Sequence, residues 1–539
     1  MLQSKPSLTR AIQEWQQFLG DRGIWTSDLA SREYGIDTMG IERNIEAALK
    51  PTNVNEIVAI IKIARQYNIP LYPISTGRNW GYGSGNPVID DCVILDLSGM
   101  NKILDMEPEL GLVTVEPGVT QRQLRDYLDA NHLNFLVPVH GGGPDCSLVG
   151  NALERGYGIT PYADHFGAVT SLEAVLPNGE IYRSALAEMG GGAVDRAFKW
   201  GIGPYIDGLF TQGNFGIVTQ MTIALAPVPE RVLNFFFWIK KDESLEHAVK
   251  TIRDTLRSVG MNCGSINLMN QLRVLSMMEP FPKSQTAPNG VIPPSVISEM
   301  CRRNMVTAWT GTGAIYGNKA LADATRSIIK KKLGSLSKRL IFLSPQSIRH
   351  LKRGTRFVPG DIGRRLDKLA NTLDATIKLI AGRPSEIALP LAYWRSGKMP
   401  VKGERMNPGK DGCGLIWYSP LVPMRPERVR VYVEMVKRIC IEHGIDPLIT
   451  LTSLSDRCFD STVPLLFDRG NQEAAGRAQC CYDALFNAGQ KEGFLPYRVG
   501  VQSMHLITRH DSSYWSLVTK LKNAIDPENI IAPGRYSPL

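Results

Sequence analysis

Two glycine-rich stretches carry the first chemical signal. TGRNWGYGSGNP (76–87) runs directly out of the short apolar strand LYPIS (71–75), and HGGGPDCSLVGNALERGYG covers residues 140–158. Glycine lets backbone N–H groups approach phosphate oxygens that a side chain would block. Such loops behind strands point to an anionic cofactor; plain turn formation is the other reading the residues leave open. The strict dinucleotide spacing GxGxxG, strand before and helix after, is absent from the N-terminal part. Its nearest imitation, GTGAIYG (311–317), follows the strand-like VTAW and has the spacing GxGxxxG. The next strand, RLIFLS, ends without an acid to hold a ribose, so GTGAIYG reads as a tight turn into the helix ALADATRSIIKKKL. The nine cysteines include no CxxC pair, which argues against a disulfide framework or structural zinc and gives no metal site. No CxxCH occurs, so no haem lies on this chain.

The elements that must position these loops alternate in the N-terminal third. VNEIVAIIKIARQY (54–67) has apolar side chains at helical spacing, with Asn53 placed as its cap. CVILDLS (92–98) and LVTVEPG (112–118) are strands, and QRQLRDYLDANH (121–132) is a helix. VTSLEAVLPNGEIYRS (169–184) is a strand–turn–strand unit, and GLFTQGNFGIVTQMTIAL (208–225) follows. Pro227 and Pro229 punctuate a boundary. From Glu230 to Lys491, strand candidates LNFFFWI (233–239), LIWYSP (415–420) and DPLITLTS (446–453) alternate with amphipathic helices such as 243–259 and 426–444. This texture predicts an α+β domain with helices packed on one sheet. Residues 391–413 are polar and long enough to suggest a functional loop.

At 539 residues the chain accommodates two to four domains of roughly 150 residues. Hydrophobic residues at 43% and charged residues at 21% exclude a wholly disordered chain and a coiled-coil rod. The 61 basic and 52 acidic residues leave +9, spread along the chain. The densest basic run, Lys330, Lys331 and Lys332 continuing to Lys338 and Arg339, reads as a solvated helix face, with a docking patch for an acidic partner as the lesser reading. No nucleic-acid partner is expected, because basic residues are neither concentrated nor interleaved with aromatics. The polar start and the lack of a run of about 18 apolar residues predict a cytoplasmic protein without a membrane span.

The segments PISTGRNWGYGSGNP (73–87), VILDLSGMNKIL (93–104), VEPGVT (115–120), VGNALERGYGITPYADH (149–165), GPYIDGLFTQGNFGIVT (203–219), YRVG (497–500) and NAIDPENIIAPGR (523–535) carry a more specific signal. In content and order they resemble the flavoprotein family of vanillyl-alcohol oxidase and 4-cresol dehydrogenase. The resemblance implies an α+β fold: a PCMH-type FAD-binding domain of two α+β subdomains, with an α+β cap of helices on an antiparallel sheet. The FAD-binding domain would span 1–227, completed by 500–539, and the cap 228–499. It also implies FAD. Ser75, Thr76, Gly77, Arg78 and Asn79 would give backbone N–H groups to the pyrophosphate, with Pro73 and Ile74 also cofactor-binding. Gly118, Val149, Gly150, Asn151, Gly156, Gly158 and Ile217 would line the cofactor, with Arg535 in the C-terminal APG motif.

Phenol-oxidising members gather two tyrosines and an arginine round the substrate's phenolic oxygen, and the matching residues are Tyr82, Tyr497 and Arg498. A free phenol has a pKa of about 10 and is mostly neutral near pH 7. A guanidinium and two hydroxyls at its oxygen favour the anion. The phenolate pushes electron density through the ring, and a hydride leaves the para benzylic carbon for flavin N5, giving a quinone methide. A Tyr between glycines and a YR pair also occur as plain packing residues.

The sequence departs from the family pattern in three places. The position of the tether histidine, before an FFSP-like strand, matches Leu415; the loop after PISTGR has no histidine, and Tyr393 is distant from the tyrosyl tether. Non-covalent FAD is therefore expected. The aspartate that precedes a GGG run in vanillyl-alcohol oxidase has no clear match. His140 or Asp145 acts as base or water-activating group, or else His140 is satisfied by backbone and Asp145 caps a turn. The electron acceptor is O2 or a cytochrome c, and the family's habit implies a homo-oligomer.

The reading is an FAD-dependent oxidoreductase acting on a para-substituted phenol at its benzylic carbon. Its rivals are a flavoenzyme of the same fold acting on a non-phenolic alcohol, and a non-catalytic flavin-binding subunit.

Overall fold

Three sheets organise the computed structural model, which describes residues 5–337, 339–355, 359–401, 403–508 and 512–539. The first sheet orders Ile24–Thr26, Ile45–Leu49, Cys92–Asp96 and Leu71–Ile74, with the last three strands parallel. The helix Val54–Tyr67 covers it, burying Ile57, Ile60, Ile61 and Ala64 at the spacing the sequence predicts. Asn53 caps that helix by accepting from the Glu56 N–H. Each such side chain contributes about 1.5–3 kcal/mol on burial.

The second sheet is antiparallel, in the order Ile103–Glu107, Leu112–Val115, Ile217–Ala224, Val169–Val175 and Ile181–Arg183. The third, also antiparallel, orders Leu340–Leu343, Arg231–Ile239, Trp309–Gly317, Asn267–Asn270, Thr450–Ser453, Cys458–Asp468 and Cys413–Tyr418, with Leu421–Pro423 also on Cys458–Asp468. The helices Leu245–Val259, Pro426–Glu442 and Gln472–Glu492 bury their apolar stripes in the core cluster of this sheet. The sheet's residues Asn267, Met269, Thr312, Thr450 and Thr462 line a cavity. This α+β architecture agrees with the class the resemblance implies.

The segment 311–317 is not a strand–helix turn. It is part of the strand Trp309–Gly317. Gly311 and Gly313 face Phe237 and Phe235 on the neighbouring strand, where an added Cβ would lie 2.0 and 2.5 Å from the rings. The glycines make room for aromatics rather than for a phosphate. Lys330 and Lys331 are exposed in the last turn of the helix Lys319–Leu333, where cations complement the helix dipole; Lys338 lies outside the described residues.

The C-terminal segment returns to the first sheet. Ile531 bridges Leu71 in parallel. Buried Lys522 ties the turn together, donating to the Asn214 and Ile531 carbonyls (2.8 and 2.9 Å) and to Asp526 (2.6 Å). Asp526 in turn accepts from the Ile530 and Ile531 N–H groups. This knot carries Arg535 to the cavity wall. Among the described residues, no helix is long and apolar enough to cross a membrane.

Candidate active site

A cavity of about 580 Å3 lies between the first two sheets and the third. Pro73 to Asn79 form part of its wall. Among the described residues, no protein acceptor takes a hydrogen bond from the backbone N–H of Ser75, Thr76, Gly77, Arg78 or Asn79. Five successive donors open to a cavity, with the Arg78 side chain beside them, suit a pyrophosphate. Val149, Gly150, Asn151, Gly156, Ile217 and Arg535 share the wall. The residues present therefore fit FAD.

Gly118, Gly158 and Asp145 do not line the cavity. Gly118 packs on the 97–100 turn, where an added Cβ would sit 2.6 Å from the Ser98 carbonyl. Gly158 backs onto His165, whose Nε2 would be 2.2 Å from such a Cβ. Asp145 turns away to pair with Arg122 (3.0 Å) and Arg405 (3.3 Å), so it is corrected from candidate base to surface ion pair.

Tyr82, Tyr497 and Arg498 do meet in this cavity. The glycines beside Tyr82 have positive φ, 75° at Gly81 and 116° at Gly83. Trp417 and Val501 press where their Cβ atoms would be, at 2.3 and 2.6 Å. The Tyr82 carbonyl accepts from the Val501 N–H (3.1 Å), which joins this loop to the segment bearing Tyr497 and Arg498. Ser419 completes the arrangement: its carbonyl accepts from the Tyr497 N–H (3.2 Å), and its hydroxyl lies 2.6 Å from the Tyr82 hydroxyl.

Arg498 lies over the Tyr82 ring, 4.3 Å from its centroid. It donates to Asn79 and pairs with Glu154 at 3.2 Å. That last contact is an ion pair by distance only, since Arg498 Nε makes no aligned hydrogen bond. Burial opposes the charge of Arg498, and the Glu154 carboxylate offsets this and holds the guanidinium charged. Burial alone would likewise raise Glu154; Arg535 and Arg498 overcome it and keep this carboxylate ionised. Burial raises the Tyr82 hydroxyl to about 12 against the pull of Arg498, and pushes Tyr497 well above the usual phenol range. Both tyrosines therefore stay neutral and can donate to an anion.

His140 lines the cavity, and its Nδ1 accepts from the Gly142 N–H (3.1 Å). Its Nε2 has no partner among the described residues. Burial, then His165 and Arg498, lowers its pKa to about 3. The ring is neutral with its proton on Nε2, so it suits a hydrogen-bond donor and not a general base at neutral pH.

The sequence reading missed four residues. Glu154 holds both arginines, and its only sequence signal was its place inside ALERGYG. Ser419 anchors Tyr82. Asp460, in the strand Cys458–Asp468, is buried, and no donor among the described residues reaches its carboxylate. Burial raises its pKa to about 7, against Arg498, and its charge in turn raises Tyr497 and Tyr82. A lone acid in a strand of apolar character was the available clue. Arg273 also lines the cavity, from the helix Gln271–Met278, with no carboxylate in ion-pair range among the described residues. Leu415 lines the cavity, while Tyr393 is buried against Asp411.

Residues 45–185 match the family model of an FAD binding domain. The chain is 36% identical over 530 residues to 1'-carboxy-chondrochloren decarboxylase of Chondromyces crocatus, covering 98% of this chain and 97% of the relative. It is 31% identical over 536 residues to the 4-cresol dehydrogenase [hydroxylating] flavoprotein subunit of Pseudomonas putida, covering 98% and 95%. The structure of p-cresol methylhydroxylase with substrate bound superposes with a TM-score of 0.86 at 28% identity, covering 99% of this chain and 97% of that one. A 4-ethylphenol oxidase from Gulosibacter chungangensis shares the fold, with a TM-score of 0.87 at 23% identity and coverage of 99% and 98%.

Proposed function

Because the chain belongs to the 4-cresol dehydrogenase family of PCMH-type FAD-dependent oxidoreductases, we propose that it oxidises a para-substituted phenol at the benzylic carbon. One observation carries the reading: Arg498, Tyr82 and Tyr497 converge in the cavity whose other wall fits FAD. FAD, when bound, supplies the two-electron acceptor that takes a hydride from that carbon.

The chain's own residues supply the rest. Tyr82 and Tyr497, both neutral, donate to the phenolic oxygen, and Arg498 adds the compensating charge. Asp460, which lies behind the cavity wall where its charge is felt by Tyr497 and Tyr82, takes up the phenolic proton by relay through these hydroxyls, its pKa near 7 suiting the role. The phenolate then feeds electrons into the ring, so that loss of the hydride leaves a quinone methide. His140 offers its Nε2–H as a fixed donor at the cavity wall. The cap sheet covers the cavity and excludes water from these charges, which strengthens each contact.

The test is spectroscopic. A 4-hydroxyaryl aldehyde bound to the holoenzyme well below its solution pKa is expected to show phenolate absorbance. Binding as the neutral phenol contradicts the anion site.

Arg273 favours a second reading of the later steps, as does the relative named for decarboxylating a carboxy compound. After the same benzylic oxidation, the bond between side chain and carboxylate breaks. Its electron pair restores the aromatic ring through a new C=C bond, and CO2 leaves. CO2 released in step with flavin reduction supports this reading, and retention of all substrate carbon contradicts it.

A further inference from the structure

Arg273 is a half-buried cation on the cavity wall that the phenol chemistry does not use. It follows Asn270, whose side chain caps the helix Gln271–Met278 by accepting from the Arg273 N–H (3.0 Å). The guanidinium has one side-chain contact among the described residues, a long 3.4 Å approach from Nη1 to Ser276 Oγ. That lies beyond the usual 2.7–3.2 Å for such bonds, and four of the five N–H donors have not even that. No carboxylate among the described residues lies within 4.0 Å of it. Burial lowers its pKa to about 10, so it remains charged near neutral pH. A partly desolvated charge without a counter-ion is held at some cost, and an arriving anion relieves it.

Toward the phenol end the strand residues of this wall are neutral, and two of them are set to donate. Asn267 accepts at Oδ1 from the Thr452 hydroxyl (2.6 Å), which leaves its amide N–H groups as donors. Thr312 Oγ1 accepts from Asn234 Nδ2 (3.2 Å), which leaves its hydroxyl proton to donate. Met269 and Met277 supply apolar surface beside Arg273. The Arg273 fork matches a planar carboxylate, which takes two parallel N–H bonds.

The sheet sets the distance. Asn267 pairs with Thr452, which pairs with Asp460, so this row marks the end of the cavity near Tyr497. Asn270 stands three residues farther along its strand, about 10 Å at the strand rise. That span suits an aryl ring followed by a short chain.

We propose that Arg273 binds a carboxylate on the side chain of the substrate, so that the cavity selects phenols whose para substituent ends in an acid. The proposal rests on this cavity being the substrate site, and it deepens the phenol reading by naming the other end of the substrate.

The test is ligand binding to the oxidised holoenzyme, read from flavin absorbance changes. The ligands are 4-hydroxycinnamate and its methyl ester, and cinnamate and its methyl ester, none of which has an sp3 benzylic hydrogen to lose. In the wild type each acid should bind at least ~10-fold more tightly than its ester. Arg273→Met should bring both ratios close to one and leave ester affinity unchanged, while Arg273→Lys keeps part of the preference. The wild-type comparison needs no variant, so poor folding of Arg273→Met does not remove the test. Absence of an acid preference in the wild type overturns the proposal. So does an acid preference that survives Arg273→Met at its wild-type size. Failure of the phenol reading looks different: phenol and non-phenol acids then bind alike, with the acid preference intact.

Discussion

The Arg498 guanidinium lies 4.3 Å from the centroid of the Tyr82 ring, although the two residues are far apart in sequence. The contact holds the ring and the cation in one place, and in a dry site it is worth about 2 kcal/mol. Arg498→Ala removes the charge that stabilises a phenolate and leaves Glu154 with Arg535 alone. A loss of about 2–5 kcal/mol in phenol binding and flavin reduction is expected. Tyr82→Phe keeps the ring under Arg498 and loses only the hydroxyl, so its loss should be nearer about 1 kcal/mol. Rapid-reaction measurement of flavin reduction checks both; a milder effect for Arg498→Ala than for Tyr82→Phe contradicts the account.

Asp460 sets the pH dependence. Burial raises its carboxyl from the ordinary 3.8 to about 7, against the pull of Arg498. Below that pH it already carries a proton and cannot accept one from the phenol. Flavin reduction should therefore rise with pH through about 7 and then level. Asp460→Asn should lower the plateau and flatten this limb. The same shift makes a stability statement: the folded state holds this proton between 3.8 and about 7, where the unfolded chain releases it. The contribution is full below 3.8 and fades as pH rises to about 7, and Asp460→Asn removes that slope from pH-dependent unfolding curves.

The buried pair Lys522–Asp526 should govern retention of the C-terminal segment. Their side chains are 5% and 0% exposed. Asp526→Ala leaves Lys522 charged and unpaired, at a cost of about 3–5 kcal/mol. Denaturant unfolding should show that loss, together with weaker FAD binding as Arg535 loses its support. Lys522→Met combined with Asp526→Leu should be less damaging than Asp526→Ala alone, because no orphan charge remains.

The resemblance matches Leu415, which lines the cavity, to the position of a histidyl tether, and leucine cannot bond the flavin. Acid precipitation of the holoenzyme should release all the flavin into the supernatant. Yellow colour retained in the washed pellet contradicts non-covalent attachment.

What could be read from the sequence follows the physics of each region. The helix Val54–Tyr67 was legible from its apolar stripe, and the strands Cys92–Asp96, Leu112–Val115 and Val169–Val175 from apolar runs that are buried on both faces, whereas Ile24–Thr26, Ile45–Leu49 and Ile103–Glu107 were not read as strands. GTGAIYG was misread because its glycines answer to Phe235 and Phe237, which lie far away in sequence. The strand Cys458–Asp468 was missed because its polar residues, buried Asp460 and cavity-lining Thr462, break the pattern that marks a buried strand. Tyr82, Tyr497 and Arg498 came from motif resemblance. Arg273 carried no such mark, since an arginine early in a helix looks like surface until the cavity beside it is seen. His140 was legible as a candidate, but its role turned on a backbone N–H that only the fold supplies.

The central claim is that this site oxidises its substrate as a phenolate. Anaerobic mixing of the holoenzyme with a 4-alkylphenol and with its O-methyl ether tests it most directly. The account predicts that the phenol bleaches the flavin and the ether, which cannot ionise, does not. Equal rates with both, or no bleaching by any phenol offered, would contradict it.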